Sequence, residues 1–288
     1  MMVAAGRLAA AVAWLLLPRP PPAAPLGVVL PATMAEAVAG VLTPPDSPLV
    51  LGVGELHQTA DTAGIPSSLA RFTRDIWPLL AGDGRGARVS DLIVETWVTG
   101  GACGTAEAAT VEDVGRATLR PAATENEIVA LLARAKASGA RPHILTVSCD
   151  EYELLAPRAA TGSGARRPVD FERMLALIKR KLEAKVNEVL VARPPADAAK
   201  LIVVYGGALH NDLHPDPALA PFSYGVPAFR ETLGRYRELD LYVPEYLERN
   251  PAMRDEPWFP LWQRAARPGQ IVVIRRSLDS VILVFAKQ

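Results

Sequence analysis

Apolar runs alternate with amphipathic segments along most of the chain. Short, mainly apolar runs predict buried strands, and apolar residues at three- and four-residue intervals predict helices. The predicted strands are residues 49–53, 92–95, 143–148, 201–205 and 239–243, followed by a terminal hairpin of 271–274 and 281–285. This order predicts an α/β fold, with a mostly parallel central sheet flanked by helices and an antiparallel C-terminal hairpin at its edge.

Four segments have helical patterns, one before the first predicted strand and three between the strands. Residues 33–42 and 65–80 are two of them. A third starts at Thr124, which has the capping-box spacing to Glu127, and its buried stripe is predicted to be Ile128, Leu131, Leu132 and Ala135. The fourth is a long amphipathic helix that we expect Asp170 to cap. Residues 96–121 show no clear period and predict a long loop.

The N-terminal residues have the pattern of a targeting segment. Arg7 precedes ten apolar residues, 8–17, and a proline-rich stretch follows. This run suits a signal peptide and is too short to span a hydrocarbon core of about 30 Å. The sequence therefore predicts export to the periplasm or cell envelope, against the alternative of an Ala/Pro-biased leader. The predicted organisation is a leader at 1–25, a linker with a short helix at 26–48, and one α/β domain at 49–288.

Composition narrows the classes of partner. The 288 residues contain 31 Lys plus Arg and 31 Asp plus Glu. The chain therefore has no basic excess for nucleic acid, and a small-molecule or peptide substrate is the expected partner. Cys103 and Cys149 each lie shortly after a predicted strand, so they could pair as a disulfide if those strands are neighbours. Free buried thiols and soft metal ligands are the alternatives.

Polar side chains follow three of the predicted strands. Glu55 and His57 come after 49–53, Glu95 closes 92–95, and His210 follows 201–205. Because ligands bind outside the carboxyl ends of strands in open α/β sheets, we expect these four side chains to converge there. Each also has a structural interpretation, such as a capping carboxylate or a polar histidine in a packed region.

Two imidazoles and two carboxylates allow two chemistries. His57, His210, Glu55 and Glu95 could hold a divalent metal (zinc, manganese or cobalt) that lowers the pKa of a bound water. Alternatively, a histidine oriented by a carboxylate could remove a proton from water directly. Both chemistries lead to hydrolysis. The sequence contains no phosphate-binding loop, dinucleotide fingerprint or Gly-x-Ser-x-Gly motif, which disfavours nucleotide binding and serine hydrolase chemistry.

Several further residues are candidates for accessory roles. Asp150 follows the third strand and could serve as an additional acid, and His214 lies four residues beyond His210. Gly206 and Gly207 would let a ligand or side chain approach the backbone closely. His143, at the start of its strand, is predicted to be structural.

Three short motifs carry a resemblance to a known superfamily. They are Gly54-Glu55-Leu56-His57, the strand-closing Glu95, and Gly206-Gly207-Ala208-Leu209-His210. In this order, across residues 49–214, they resemble the superfamily that unites erythromycin esterases, ChaN-like haem- and iron-associated lipoproteins, and TIKI/TraB-like metalloproteases. The chain departs from these branches because it lacks the additional helical domain of the macrolide esterases and a lipobox cysteine.

The resemblance implies an α/β core with its active centre at the strand ends. In the esterase branch, His57 would be the base, Glu55 would orient it, and Glu95 and His210 would complete the site. The expected function is then an exported hydrolase of an ester, lactone or amide, with or without metal. The ChaN-like branch implies the alternative, a haem- or iron-binding envelope protein with His57, His210 or His214 as axial ligands.

Overall fold

The computed structural model describes residues 27–43, 47–82, 88–157 and 167–287. The predicted leader at 1–25 lies outside the described residues. Within those ranges, no helix combines the length and the apolar character needed to cross a bilayer.

Eight strands form one sheet. They are β1 (Gly27–Val29), β2 (Val50–Glu55), β3 (Val89–Thr99), β4 (Arg141–Val147), β5 (Leu201–Gly207), β6 (Tyr236–Tyr242), β7 (Val272–Arg275) and β8 (Ser280–Val284). Their order across the sheet is β1-β7-β8-β6-β2-β5-β3-β4. The six strands from β8 to β4 are parallel, and β7 runs antiparallel to both β8 and β1. The predicted α/β class with an antiparallel edge is confirmed.

The edge differs from the prediction in one respect. Strand β8 of the terminal hairpin continues the parallel sheet beside β6, so only β7 reverses direction. Beyond β7 lies β1, which belongs to the segment predicted as a linker at 26–48. That segment is therefore part of the domain, because its strand pairs with β7 and its helix buries Ala37, Val38 and Val41 in the core.

Helices cover both faces of the sheet. Their bounds are α1 (Met34–Leu42), α2 (Ser68–Arg71), α3 (Trp77–Ala81), α4 (Thr105–Thr118), α5 (Ala123–Ala137), α6 (Cys149–Leu155), α7 (Phe171–Ala192), α8 (Ala208–Asn211), α9 (Gly225–Glu231), α10 (Pro244–Arg249) and α11 (Phe259–Ala265). A π-helical segment, Phe72–Ile76, joins α2 to α3. The capping role predicted for Asp170 is confirmed, since its side chain accepts a hydrogen bond from the amide of Arg173 at the start of α7.

Two predictions between β3 and β4 are wrong. Strand β3 continues to Thr99, and α4 occupies part of the predicted loop at 96–121. Helix α4 buries only Ala106 and Thr110, and such small residues leave little apolar periodicity in the sequence. The capping box at Thr124 is also wrong, because the N-cap of α5 is Ala122, two residues earlier. Thr124 thus lies in the first helical turn.

The strands bury alternate residues on two faces, and β2 lies in the middle of the sheet. One face packs Leu51 and Val203 against α1, α3 and α5, and the other packs Val50 and Ile202 against α7. Because β2, β5 and β3 are parallel neighbours, their carboxyl ends lie side by side. The fold therefore brings together the ends of the three strands that carry the predicted site residues.

A bulge interrupts the pairing of β3 with β4. Val94 pairs with Ile144, and the next pair is Trp97 with Leu145. Glu95 and Thr96 therefore have no partner on β4, and such a bulge bends the strand just beyond Val94, the last residue of β3 that pairs with β5.

A disulfide joins the ends of these two strands. Cys103 follows β3, Cys149 opens α6 directly after β4, and their Cα atoms lie 4.9 Å apart. The pairing of β3 with β4 as neighbours is the arrangement on which the predicted disulfide depended.

Candidate active site

Glu55, the last residue of β2, is buried and fully engaged. Its Oε1 accepts a hydrogen bond of 2.8 Å from His57 Nδ1, and its Oε2 accepts one of 2.7 Å from the Tyr205 hydroxyl. Burial alone would raise the pKa of Glu55, but the hydrogen bond and charge of His57, the charge of Arg120 and the Tyr205 hydroxyl outweigh it. The pKa is lowered overall, so Glu55 is a carboxylate at neutral pH.

His57 is oriented by this carboxylate. An ionised carboxylate only accepts hydrogen bonds, so Nδ1 carries a proton, and whenever the ring is neutral its free lone pair lies on Nε2. Nε2 lies against the backbone of Gly207, where an added Cβ atom would be only 2.9 Å away. The side chain is 31% exposed, so a substrate can reach the ring from solvent.

Glu95 lies across the same glycine pair. Its Oε2 accepts a hydrogen bond of 2.7 Å from the Gly207 amide. A Cβ atom on Gly206 would lie 2.3 Å from Glu95 Oε2, and one on Gly207 would lie 3.7 Å from it. The two glycines thus make room for Glu95 and His57 at one point of the sheet edge, as the sequence predicted for close approach to the backbone.

His210 is a buried residue next to Glu95. It lies in α8 and is 3% exposed, and its Nδ1 donates a hydrogen bond of 2.8 Å to the Phe222 carbonyl oxygen. Its Nε2 faces Glu95 Oε1 at 3.8 Å, a distance for electrostatic contact and too long for a hydrogen bond. His210 is therefore adjacent to Glu95 without lining the cavity at which His57 is exposed.

A small cavity opens beside Glu55, His57 and Glu95. Its volume of about 20 Å³ is sufficient for one water molecule. Apolar side chains form one wall, and Arg120 and Thr124 add polar atoms to the lining. The apolar lining residues are Leu69, Val94, Ile128 and Leu131. The site thus offers a proton acceptor, a carboxylate and space for water at the edge of an apolar wall.

Three other predicted residues lie elsewhere. Asp150 is exposed in the first turn of α6, outside the lining of the cavity. His214 is exposed, and its Nε2 lies 3.1 Å from the Ser277 hydroxyl oxygen. His143 lies in the first half of β4, and its Nε2 is 2.8 Å from Asp91 Oδ1, a contact between neighbouring strands away from the cavity. The structure does not bring Asp150 or His214 to the cavity.

The four residues predicted as metal ligands are not arranged as a metal site. Within the described ranges, no three His, Cys, Asp or Glu side chains are arranged to hold a metal ion. Both oxygens of Glu55 are occupied by hydrogen bonds, and His210 Nε2 faces Glu95 without lining the cavity. His57, His210, Glu55 and Glu95 therefore do not fit a zinc, manganese or cobalt site in this arrangement. The cavity is also far smaller than a haem group.

Two polar residues of the site were not assigned a role from the sequence. Tyr205 ends the predicted strand 201–205, where an aromatic residue is typical of packing or of a pocket lining, and Arg120 lies in the predicted loop 96–121. The hydrogen bond of Tyr205 to Glu55 depends on β2 and β5 being adjacent, which the sequence does not reveal. For Arg120, the sequence signal that could have indicated a role is its position directly before Pro121 and the start of a helix.

Comparisons of this chain with protein-family models, with curated proteins and with solved structures found no match.

Proposed function

We propose that the protein is an exported hydrolase that uses His57 as a general base to activate water against an ester, lactone or amide. One observation carries the proposal. The Glu55 carboxylate holds His57 by Nδ1, so that Nε2 is free at a cavity with room for water. A base oriented by a buried carboxylate is the arrangement that general-base catalysis needs.

In the proposed reaction, His57 Nε2 takes a proton from water while the water oxygen bonds to the carbonyl carbon. Glu55 stabilises the imidazolium that forms, and the Tyr205 hydroxyl keeps Glu55 in place. The bond from the carbonyl carbon to the leaving oxygen or nitrogen then breaks. The leaving group takes the proton from His57, which returns the base to its neutral state.

Glu95 and His210 have supporting roles in this mechanism. Glu95 is fixed by the Gly207 amide and lines the cavity, so it can orient the attacking water. His210 acts as a positioning residue, because its buried ring faces Glu95 Oε1 and does not line the cavity.

The motif order supports membership of the erythromycin esterase, ChaN-like and TIKI-like superfamily as part of this proposal. The disulfide between Cys103 and Cys149 supports export, since disulfides persist in oxidising compartments. The sequence motifs also suggest haem binding, but no observation at the cavity favours it.

The test is hydrolysis of a panel of nitrophenyl esters, lactones and peptides by the purified protein. His57→Ala and Glu55→Gln should each lower kcat by about 10²–10⁴-fold, the contribution of a positioned base. His214→Ala is the matched control, because it removes an exposed histidine outside the cavity. Circular dichroism should show the same fold in all variants. Undiminished turnover in His57→Ala would contradict the proposal.

A further inference from the structure

Two buried polar atoms at the cavity have no partner. Arg120 Nε and Thr124 Oγ1 are both inaccessible to solvent, and neither has a hydrogen-bond partner among the described residues. Buried donors of this kind are rare, because a donor that leaves water without finding a partner loses its hydrogen bond to water and gains none in return. An unpaired pair beside an open cavity points to a ligand that supplies the missing acceptor.

Arg120 and Thr124 line the same two recesses. Both line the cavity beside His57, and both also line a second recess, which shares Glu55 and Leu69 with the first and includes Glu127. Thr124 is free for this role because it lies in the first turn of α5 without capping the helix. Its hydroxyl and the guanidinium group can therefore both donate into the same space.

The neighbouring carboxylates already accept hydrogen bonds from other residues. Glu55 accepts from His57 and Tyr205, Glu95 accepts from the Gly207 amide, and Glu127 accepts from the Ser67 hydroxyl. Burial raises the pKa of Glu127, and the charge of Glu55 raises it further against the opposing hydrogen bond from Ser67.

Aliphatic side chains also line the cavity. They are Leu69, Val94, Ile128 and Leu131. A ligand that suits this lining has a negatively charged oxygen for the polar residues and a short apolar chain for the aliphatic ones.

We propose that Arg120 and Thr124 bind the oxygens of a short aliphatic acyl group, as the carboxylate of the acid product and as the oxyanion that precedes it. This inference rests on the proposed function, for which it names the substrate class as esters or amides of short-chain aliphatic acids. It places the acyl oxygens at Arg120 and Thr124 and the chain among the aliphatic lining residues, next to His57.

Binding of butyrate tests this subsite without any turnover. Amide chemical shifts of the protein are followed by NMR during titration with butyrate, and with butyramide as a neutral compound of the same shape. Butyrate should shift resonances of the cavity residues and bind at least about tenfold more tightly than butyramide, as expected for charge-assisted hydrogen bonds.

Variants assign the binding to the two residues. Arg120→Gln should weaken butyrate binding by about ten- to a hundredfold. Thr124→Val should weaken it by a smaller factor, and Thr124→Ser should preserve it. Arg116→Gln is the matched control, because Arg116 is an exposed arginine of α4 that pairs with Asp113.

The outcomes separate this inference from the proposed function. His57→Ala should keep butyrate binding, so binding that depends on Arg120 in a protein without hydrolytic activity would support the subsite alone. Failure of butyrate to bind the unaltered protein would overturn the subsite. Equal binding by Arg120→Gln, or an equal loss in Arg116→Gln, would overturn it as well.

Discussion

Gly206→Ala is predicted to disturb the site through one added methyl group. The new Cβ atom would lie 2.3 Å from Glu95 Oε2 and 2.7 Å from Glu95 Cβ. A flexible carboxylate could rotate away from the first contact. The second contact involves an atom fixed to the backbone, so β3 and β5 must also move apart.

The expected cost follows from these two contacts. Overpacking of this kind costs about 1–3 kcal/mol, and displacing the carboxylate also removes its hydrogen bond from the Gly207 amide, worth about 1.5–3 kcal/mol with a charged acceptor. Because relaxation reduces the first cost when the second is incurred, we expect a loss of about 2–4 kcal/mol in the free energy of unfolding.

Urea denaturation measures this loss, and Gly115→Ala provides the control. Gly115 lies inside α4 with no atom within 4 Å of an added Cβ, so alanine should stabilise the protein there by about 0.5–1 kcal/mol. The expected result is that Gly206→Ala lowers the free energy of unfolding and Gly115→Ala raises it. A Gly206→Ala protein that loses less than about 0.5 kcal/mol and keeps its hydrolytic rate would refute the close packing of Glu95 on Gly206.

Two further predictions concern stability away from the cavity. Asp91 is buried and accepts two hydrogen bonds from Arg141 and one from His143, so Asp91→Asn should cost about 2–4 kcal/mol in urea denaturation. Burial acts to raise the pKa of Asp91, but the hydrogen bonds from His143 and Arg141 hold it well below its usual range. The contribution of the Asp91 carboxylate to the free energy of unfolding should therefore be complete above about pH 4 and decrease as the pH falls below that. A stability difference between the unaltered protein and Asp91→Asn that grew on acidification would contradict this sign. Replacing both cysteines by serine should cost about 2–4 kcal/mol, because the disulfide closes a loop across 46 positions, and a mutant as stable as the oxidised protein would contradict it.

The sequence was sufficient to predict the strands that are buried on both faces. Runs such as 201–205 are continuous and apolar, and burial in a parallel sheet leaves few alternatives for them. The convergence of Glu55, His57 and Glu95 followed from the rule that parallel strands share a carboxyl edge, which requires only that the strands be parallel and close.

What the sequence did not predict depends on which elements are neighbours. Arg120 reaches the cavity because α4 and α5 return the chain to the sheet edge, and α4 was missed because Ala106 and Thr110 bury little apolar surface. His210 was expected beside His57, yet its ring faces Glu95 outside the lining of the cavity, because its Nδ1 is held by the Phe222 carbonyl oxygen. These positions are set by long-range packing, which local patterns do not encode.

Because of the bulge in β3, the orientation of Glu95 depends on the number of residues in this strand. Residues up to Val94 are held in register by β4 and β5, and Trp97 is held by β4 and by a hydrogen bond from its indole to the Tyr152 hydroxyl. Loss of a single residue at positions 95–96 would reverse the side-chain alternation between these two halves, and either the carboxylate or the indole would turn to the wrong face. Among descendants of this chain, insertions and deletions should therefore accumulate in surface loops and be excluded here, even where the glutamate itself is replaced.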